Sequence, residues 1–262
     1  MRTALVVNKV GPDHQKNLDA ILGLTEKAAM SGAELVLFPE AALSGLINND
    51  NPEHDLPLGQ TIPGPATSAL ATLCDKHDLW LGIGLLERDG HRLYDSAVLI
   101  DGTGRVALKY RRNQPQWHGR KANPSVYCEG SEIGRACTPF GSLAFLLCGD
   151  LFDDNIVARV EKLKPDFLLF PFARCFSDGS FDQHRWDTDE IPEYAARVKL
   201  VGAPTLMVNY VADADLPDDN SFGGAFVISA QGKVIASKPL GKQGILMVDM
   251  EKASNNRVEA TR

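Results

Sequence analysis

The sequence predicts an α/β protein, with sheets covered by helices. Three observations predict it. Apolar runs of strand type and amphipathic stripes of helical type take turns along the whole chain. Two segments, Leu35-Val36-Leu37-Phe38-Pro39 and Leu168-Leu169-Phe170-Pro171, echo each other, each after an amphipathic helix, as two related βαβ-like halves would. No stretch rich in Pro, Gly and Ser divides the chain, so residues 1–262 read as one domain built from two similar halves.

Taken in order, Thr3–Val10 is a near-continuous β-type run, and Asp13–Ser31 places Leu18, Ile21, Leu22, Ala28 and Ala29 on one helical stripe, with Gly32 as its C-cap. Glu34–Pro39 reads as a buried strand. The Pro63-Gly64-Pro65 signal opens a helix carrying Ala66, Leu70, Leu73, Cys74 and His77 on one face. Strands are predicted at Leu79–Leu86, Leu93–Ile100 and Val106–Tyr110, the last two joined by the turn Asp101-Gly102-Thr103-Gly104. In the second half, Leu143–Cys148 is a strand and Asp153–Lys164 a helix, with acids at its start, lysines at its end and Pro165 as a stop. Asp166–Pro171 is a strand, and Glu190–Gly202 is a helix with Ile191, Tyr194, Ala195, Val198 and Val201 inward. Strands follow at Thr205–Val211, Gly224–Ser229, Val234–Ser237 and Ile245–Asp249. Arg174–Asp189 and Asp213–Asp219 read as loops, the first long enough to be functional. The polar tail Ala253–Arg262 either packs on a partner chain or frays.

Composition narrows the function. A chain of 262 residues, 44% hydrophobic and 23% charged, is globular rather than disordered. Its longest apolar runs, such as Leu143 to Cys148, fall far short of the roughly 18 residues that span a bilayer. Met1-Arg2-Thr3 leads straight into a strand-like run, so no signal peptide is expected. A net charge of −7 without a basic tract argues against nucleic acid or an anionic membrane as the main partner. Five cysteines without a CxxC spacing suggest neither a disulfide framework nor a zinc site, and point to the reducing cytoplasm. The six histidines show no HxxxH or HxH pairing, so metal binding has little support. GxGxxG and P-loop motifs are absent, which removes support for nucleotide binding.

Two places carry candidate chemistry. Leu143-Ala144-Phe145-Leu146-Leu147-Cys148-Gly149-Asp150 puts a cysteine at the exit of a buried strand, before a glycine and a helix start. A tight turn there projects the thiol, leaves the Gly149 N–H free to meet an oxyanion, and sets a helix N-terminus where it favours a thiolate. The alternative is a buried, inert cysteine. In Phe38-Pro39-Glu40 an acid follows a buried strand end, where a poorly solvated carboxylate needs a partner or a task, such as general base. A loop or capping acid is the alternative reading. Lys109-Tyr110-Arg111-Arg112 is a basic strand end, most simply a solvated one.

In this order the segments resemble the carbon–nitrogen hydrolase (nitrilase) superfamily. The likeness rests on Leu37-Phe38-Pro39-Glu40-Ala41-Ala42-Leu43-Ser44-Gly45, on Asp95-Ser96-Ala97 through Gly104 to Tyr110-Arg111-Arg112, and on Cys148-Gly149-Asp150. It continues through Arg197 to Val201, Leu206 to Asn209, Phe222-Gly223-Gly224 and Gly232-Lys233-Val234, and so covers roughly residues 3 to 250. The resemblance implies a four-layer α-β-β-α sandwich, a homo-oligomer of two or more copies, and a small-molecule substrate with no metal or organic cofactor. It implies a Glu, Lys and Cys set: Glu takes the thiol proton, the thiolate attacks an amide, nitrile or carbamoyl carbon, and a thioester forms and is hydrolysed.

The sequence departs from that pattern at several positions. The family's Lys falls on Arg112, with Lys109 three residues earlier on the opposite strand face. Arg112 keeps the charge that holds an oxyanion but cannot move a proton. The His two residues on is Gln114, the second Glu of many members falls on Asn123 with Glu129 nearby, and a later Glu-Asn pair is Leu200-Val201. The site expected from the residues and the resemblance is therefore Glu40 as base, Cys148 as nucleophile, and Arg112 with the Gly149 N–H as oxyanion holders. Glu129, Phe172 and Arg174 are the further substrate-binding candidates, and the Arg174–Asp189 loop, with Arg174, His184, Arg185 and Trp186, is expected to select an acidic substrate. A catalytically altered or inactive member acting as a binding or assembly module is the alternative that Arg112 raises. A Cys–His protease lacks any local signature.

Overall fold

The computed structural model describes residues 1–251. The first half runs β1 (Arg2–Val7), β2 (Lys9–Val10), α1 (His14–Met30), β3 (Leu35–Leu37), α2 (Pro52–Asp55), α3 (Pro65–His77), β4 (Trp80–Asp89), β5 (Arg92–Ile100) and β6 (Val106–Arg111). The second runs β7 (Arg135–Thr138), β8 (Gly141–Phe145), α4 (Asp154–Leu163), β9 (Phe167–Pro171), α5 (Gln183–Arg185), α6 (Ile191–Val201), β10 (Thr205–Val208) and β11 (Val211–Ala212). It closes with β12 (Ala225–Ile228), β13 (Val234–Lys238) and β14 (Gly244–Asp249). The mixed α/β class is as the sequence predicts. The tail 253–262 lies outside the described residues.

Two six-stranded sheets form, ordered β14-β1-β3-β4-β5-β6 and β13-β12-β10-β9-β8-β7. The echoing segments take matching central places: β3 is parallel to both β1 and β4, and β9 is parallel to both β8 and β10. Strand β14 returns to pair antiparallel with β1, from Arg2↔Asp249 to Val7↔Gly244, so the last described strand completes the first sheet.

Period-two alternation decides which face meets what. In β1 and β3, Ala4, Val6 and Val36 join an apolar cluster with Ile21 and Ala28 of α1 and Leu70 and Cys74 of α3. Their neighbours Leu5, Val7, Leu35 and Leu37 join another cluster with Phe145, Leu169 and Met207 of the second sheet. Val157 and Val160 of α4 and Tyr194 and Val198 of α6 belong to that second cluster.

Helix ends follow local chemistry. Asp13 caps α1 by accepting from the N–H groups of Gln15 and Lys16. Asp153 caps α4 in the same way, and Lys164 and Gly202 close α4 and α6 in the left-handed conformation.

The structure corrects several boundaries. The predicted strand Thr3–Val10 breaks at Asn8, because Asn8 is buried, donates to the Ala42 carbonyl at 3.1 Å, and accepts the Val211 N–H at 2.9 Å. Those bonds divert the chain from the first sheet to β11. The inner face of α1 also buries Asn17 and Thr25, which bond to backbone carbonyls. Edge strand β7 goes unpredicted, since its alternating exposed and buried residues include Arg135 and Thr138. The expected loop Arg174–Asp189 contains α5 and a π-turn, Trp186–Glu190, that runs directly into α6, with Trp186 fully buried.

Candidate active site

Strand β8 ends at Phe145, and Leu146 and Leu147 carry the chain on, fully buried, to a reversal at Cys148. Cys148 sits at φ 40°, in the left-handed region that costs a residue with a Cβ about 1–2 kcal/mol. Asp150 holds the turn: its carboxylate accepts the Leu147 N–H at 3.0 Å, and its own N–H donates to the Leu147 carbonyl at 2.9 Å. The Cys148 thiol lies 3.5 Å from the Ala173 carbonyl, at the exit of β9.

Glu40 follows β3 and is clamped along β4. Phe38 N–H donates to the Gly82 carbonyl at 2.8 Å, Gly84 N–H to the Pro39 carbonyl at 2.9 Å, and Ala42 N–H to the Gly84 carbonyl at 3.0 Å. A Cβ on Gly84 would stand 2.5 Å from the Glu40 Cα, so only glycine permits this approach. Glu40 is completely buried. Burial holds its carboxyl well above the usual carboxylate range, the negative charges of Asp95 and the Cys148 thiolate push the same way, and Arg112 opposes them.

Arg112 emerges just beyond β6, and the same Asp150 fixes its segment. Asp150 accepts the Tyr110 hydroxyl at 2.6 Å and the N–H groups of Asn113 at 3.1 Å and Gln114 at 2.8 Å. Burial lifts Asp150 to about 6 against those bonds, which favour its ionised form. Arg112 Nη1 lies 3.1 Å from Glu40 Oε1 and 3.3 Å from Asp95 Oδ2, and Nη2 donates to Gln114 Oε1 at 2.9 Å. A Cβ on Gly149 would meet Arg112 Nη2 at 2.5 Å. The guanidinium therefore reaches from Glu40 to the backbone beside Cys148, and glycine at 149 leaves it room.

Arg112 and Cys148 open onto a pocket of about 330 Å³ lined also by Gln116, Gly149, Phe152, Arg174, Glu190, Glu193 and Tyr194, while Glu40 is completely buried, in contact with Arg112 and not part of that lining. Next to Ala173, whose carbonyl the thiol meets, Arg174 grips Glu190 with two bonds, Nη2 to Oε1 at 2.7 Å and Nε to Oε2 at 3.2 Å. The π-turn before α6 carries Glu190 at its last residue. Tyr194 is fixed by aromatic neighbours, Phe152 at 5.0 Å edge-on and Trp186 at 5.4 Å. A larger cavity of about 450 Å³, lined by residues such as Phe181, Asp213 and Phe222, holds none of Glu40, Arg112 and Cys148. Chemistry, not size, selects the smaller pocket.

A guanidinium and a strained cysteine at one pocket, with a buried acid bound to the guanidinium, can transfer an acyl group. The family model for carbon–nitrogen hydrolases matches residues 2–258. The chain belongs to that family. Among curated relatives, an aliphatic nitrilase of Sinorhizobium fredii (strain HH103) is 30% identical over 268 residues, covering 91% of this chain and 82% of that protein. Nitrilase 3 of Arabidopsis thaliana is 26% identical over 274 residues, covering 91% and 75%. Among solved structures, a carbon–nitrogen hydrolase from Helicobacter pylori G27 superposes with a TM-score of 0.80 at 20% identity, covering 94% of this chain and 87% of that one. A mutant of the amidase from Nesterenkonia sp. AN1, with the acetamide moiety of fluoroacetamide added at its active-site cysteine, superposes with a TM-score of 0.78 at 22% identity, covering 99% and 95%. At those identities the two structures establish the shared fold.

Within this carbon–nitrogen hydrolase family member, Arg112 reaches both Glu40 and the Cys148-Gly149 turn, and Arg174 lines the same pocket as that turn. Glu129 does not join them. It is exposed, binds His118 Nε2 at 2.6 Å, and lines a separate cleft with Lys109 and Arg111. Asn123 is also exposed and caps its own turn by accepting from Ser125. Phe172 is completely buried and stacks on Trp186 at 6.1 Å, behind the pocket surface rather than on it. Lys109 lies on the other strand face from Arg112, bound to Glu87 at 2.7 Å. The loop's cations are already engaged, Arg174 by Glu190 and Arg185 by Asp178, so the expected preference for an acidic substrate loses its basis. The sequence names Asp95, Tyr110, Gln114 and Asp150 as motif positions and Glu190 as a helix start, but assigns none of them a role at the site; Asp95 also stands out as a lone acid inside the apolar strand Leu93–Ile100.

Proposed function

We propose that the chain hydrolyses a non-peptide C–N bond of a small amide, nitrile or carbamoyl compound through a thioester on Cys148. One observation carries the reading: a single guanidinium, that of Arg112, bonds the buried acid Glu40 and also fills the space where a Gly149 side chain would stand, beside a strained Cys148.

For an amide, the steps run as follows. Glu40 takes the Cys148 proton, and the sulfur bonds to the carbonyl carbon. The displaced electron pair rests on oxygen, facing the Gly149 N–H and Arg112. The C–N bond breaks as Glu40 returns the proton to nitrogen, and ammonia or an amine leaves. Glu40 then takes a proton from water as its oxygen adds to the thioester, and the C–S bond breaks as Glu40 reprotonates the sulfur. A carboxyl that burial and neighbouring charge hold above its usual range suits a base that must give its proton back. Arg112 stays charged throughout.

The relatives named nitrilase support the substrate class, and the pocket of about 330 Å³ suits a small molecule. Exposed Phe152 before α4 and Leu200 on α6 support association of this chain into a dimer or larger homo-oligomer. The acidic composition and unpaired cysteines support a cytoplasmic setting.

A second reading, a member with altered or lost chemistry kept as a binding or assembly module, draws on how fully Arg112 is engaged by Glu40, Asp95 and Gln114. An ammonia-release assay over a panel of small amides, nitriles and carbamoyl compounds separates the two. The hydrolase reading expects turnover that falls to background in Cys148→Ala. Turnover unchanged by Cys148→Ala contradicts it. A silent parent that Arg112→Lys awakens favours the second reading.

A further inference from the structure

Two completely buried carboxyls face one nitrogen of one guanidinium. Arg112 Nη1 lies 3.1 Å from Glu40 Oε1 and 3.3 Å from Asp95 Oδ2. Glu40 Oε2 and Asp95 Oδ1 are buried with no donor from any other described residue, and the two carboxyls lie close enough to share a proton, which further favours the protonated form of Glu40. One cation neutralises one anion, and an unmatched second charge in such a place is strongly disfavoured. The two acids are not equivalent. Asp95 and Arg112 are joined through the backbone, where the Arg112 N–H donates to the Asp95 carbonyl at 2.8 Å, next to the β5–β6 pair Ser96↔Arg111. Those neighbours keep their spacing as one unit. Glu40 arrives from a different strand, after β3, and is charge-coupled to Cys148.

We propose that Asp95 is a positioning residue: it is the standing counter-charge of Arg112, which leaves Glu40 free to exchange a proton with Cys148. Without Asp95, Glu40 is the carboxylate partner of the guanidinium and a weak base. The inference rests on the reading of Glu40 as the base at Cys148. The charged and titratable groups around Glu40 fit it. Asp95 and the Cys148 thiolate raise its proton affinity, Arg112 lowers it, and the buried Tyr194 phenol, itself held well above its usual range, is neutral. Asp150 faces Arg112 from the far side.

Infrared spectroscopy of the whole chain without substrate tests this. Glutamate carrying ¹³C in its side-chain carboxyl shifts the band of a protonated glutamate, so aspartates, Asp150 included, do not interfere. The expected result is a protonated-glutamate band that persists above the usual carboxylate range and vanishes in Glu40→Gln. In Asp95→Asn its titration midpoint falls by about one pH unit or more, as loss of a neighbouring like charge requires. The acid limb of kcat/KM moves down by the same amount, a shift that mere loosening of the site does not produce. An unchanged midpoint in Asp95→Asn overturns the proposal. So does the absence, in the wild-type chain, of any protonated glutamate above the usual range, a measurement that needs no variant to fold. If no substrate is ever turned over while the midpoint still falls, the hydrolase reading fails and the Asp95 assignment stands.

Discussion

Tyr110 donates to Asp150 across 2.6 Å, and the same carboxylate accepts backbone N–H groups from Leu147 and Gln114. One buried acid thus ties the turn that presents Cys148 to the segment that presents Arg112. The relative placement of Cys148 and Arg112 is set by this side chain, from residues 40 positions apart in the case of Tyr110.

Removing that tie loosens both partners. Asp150→Ala leaves the Tyr110 hydroxyl and the N–H groups of Asn113, Gln114 and Leu147 without their acceptor in a buried region. Each orphaned donor costs about 1–3 kcal/mol, so urea unfolding is expected to show a loss of about 3 kcal/mol or more. Activity falls with it, although neither Cys148 nor Arg112 is touched. A loss below 1 kcal/mol, on the order of an ordinary surface change, contradicts this role.

The base sets a pH limit. On the proposed reading Glu40 works as a carboxylate base, and burial with the charges of Asp95 and Cys148 raises its proton affinity. The sign follows: kcat/KM declines as pH falls through the raised value, so the acid limb lies above the usual carboxylate range. A pH–rate profile flat down to about 4, the range of an unperturbed glutamate, rules Glu40 out as the base.

Arg112→Met removes the cation from two fully buried carboxyls. Breaking a buried ion pair from one side costs about 3–5 kcal/mol. Glu40, already raised by burial, then holds its proton still more tightly than in the unfolded chain, so its charging opposes folding, and the variant loses stability as pH rises through that raised value. Thermal melts of the variant at pH 5 and pH 8 are expected to differ by more than those of the parent. Its kcat is expected to drop about 10²–10³-fold, the cost of one oxyanion donor. An unchanged kcat means that Arg112 does not face the oxyanion.

Arg174 and Glu190 shape the pocket rather than the chemistry. Their side chains are 38% and 17% exposed, so the pair adds about 1 kcal/mol or less to stability. Arg174→Ala is expected to leave folding nearly intact and to raise KM more than it lowers kcat, because it releases Glu190 at the pocket wall. Steady-state kinetics on any substrate found read this directly, and a fall confined to kcat contradicts it.

Much of the fold was legible because buried strands and capped helices carry local signals. Asp153 and Pro165 bracket α4 in the sequence as they do in the structure. Turn-exit positions were legible too, since Cys148-Gly149 and Pro39-Glu40 each follow a buried run. What stayed hidden depends on contacts between distant segments. The spacing from Gly130 falls on Asn123, with Glu129 as a nearby substitute, yet the loop turns Glu129 toward His118, while Asp95 and Gln114 occupy the guanidinium. Arg174 read as a free cation until Glu190, placed by an unpredicted π-turn, was seen to hold it. No periodicity in a single sequence encodes which carboxylate meets which guanidinium.

The most direct measurement is an intact-mass and peptide-mass search for an acyl adduct, made by acid-quenching the chain during turnover of a small amide or nitrile. The expected result is a substrate-derived acyl group on the peptide holding Cys148, formed before steady state and absent from Cys148→Ala. Ammonia release with no adduct on Cys148, or with the adduct on another cysteine such as Cys175, contradicts the assignment of the nucleophile.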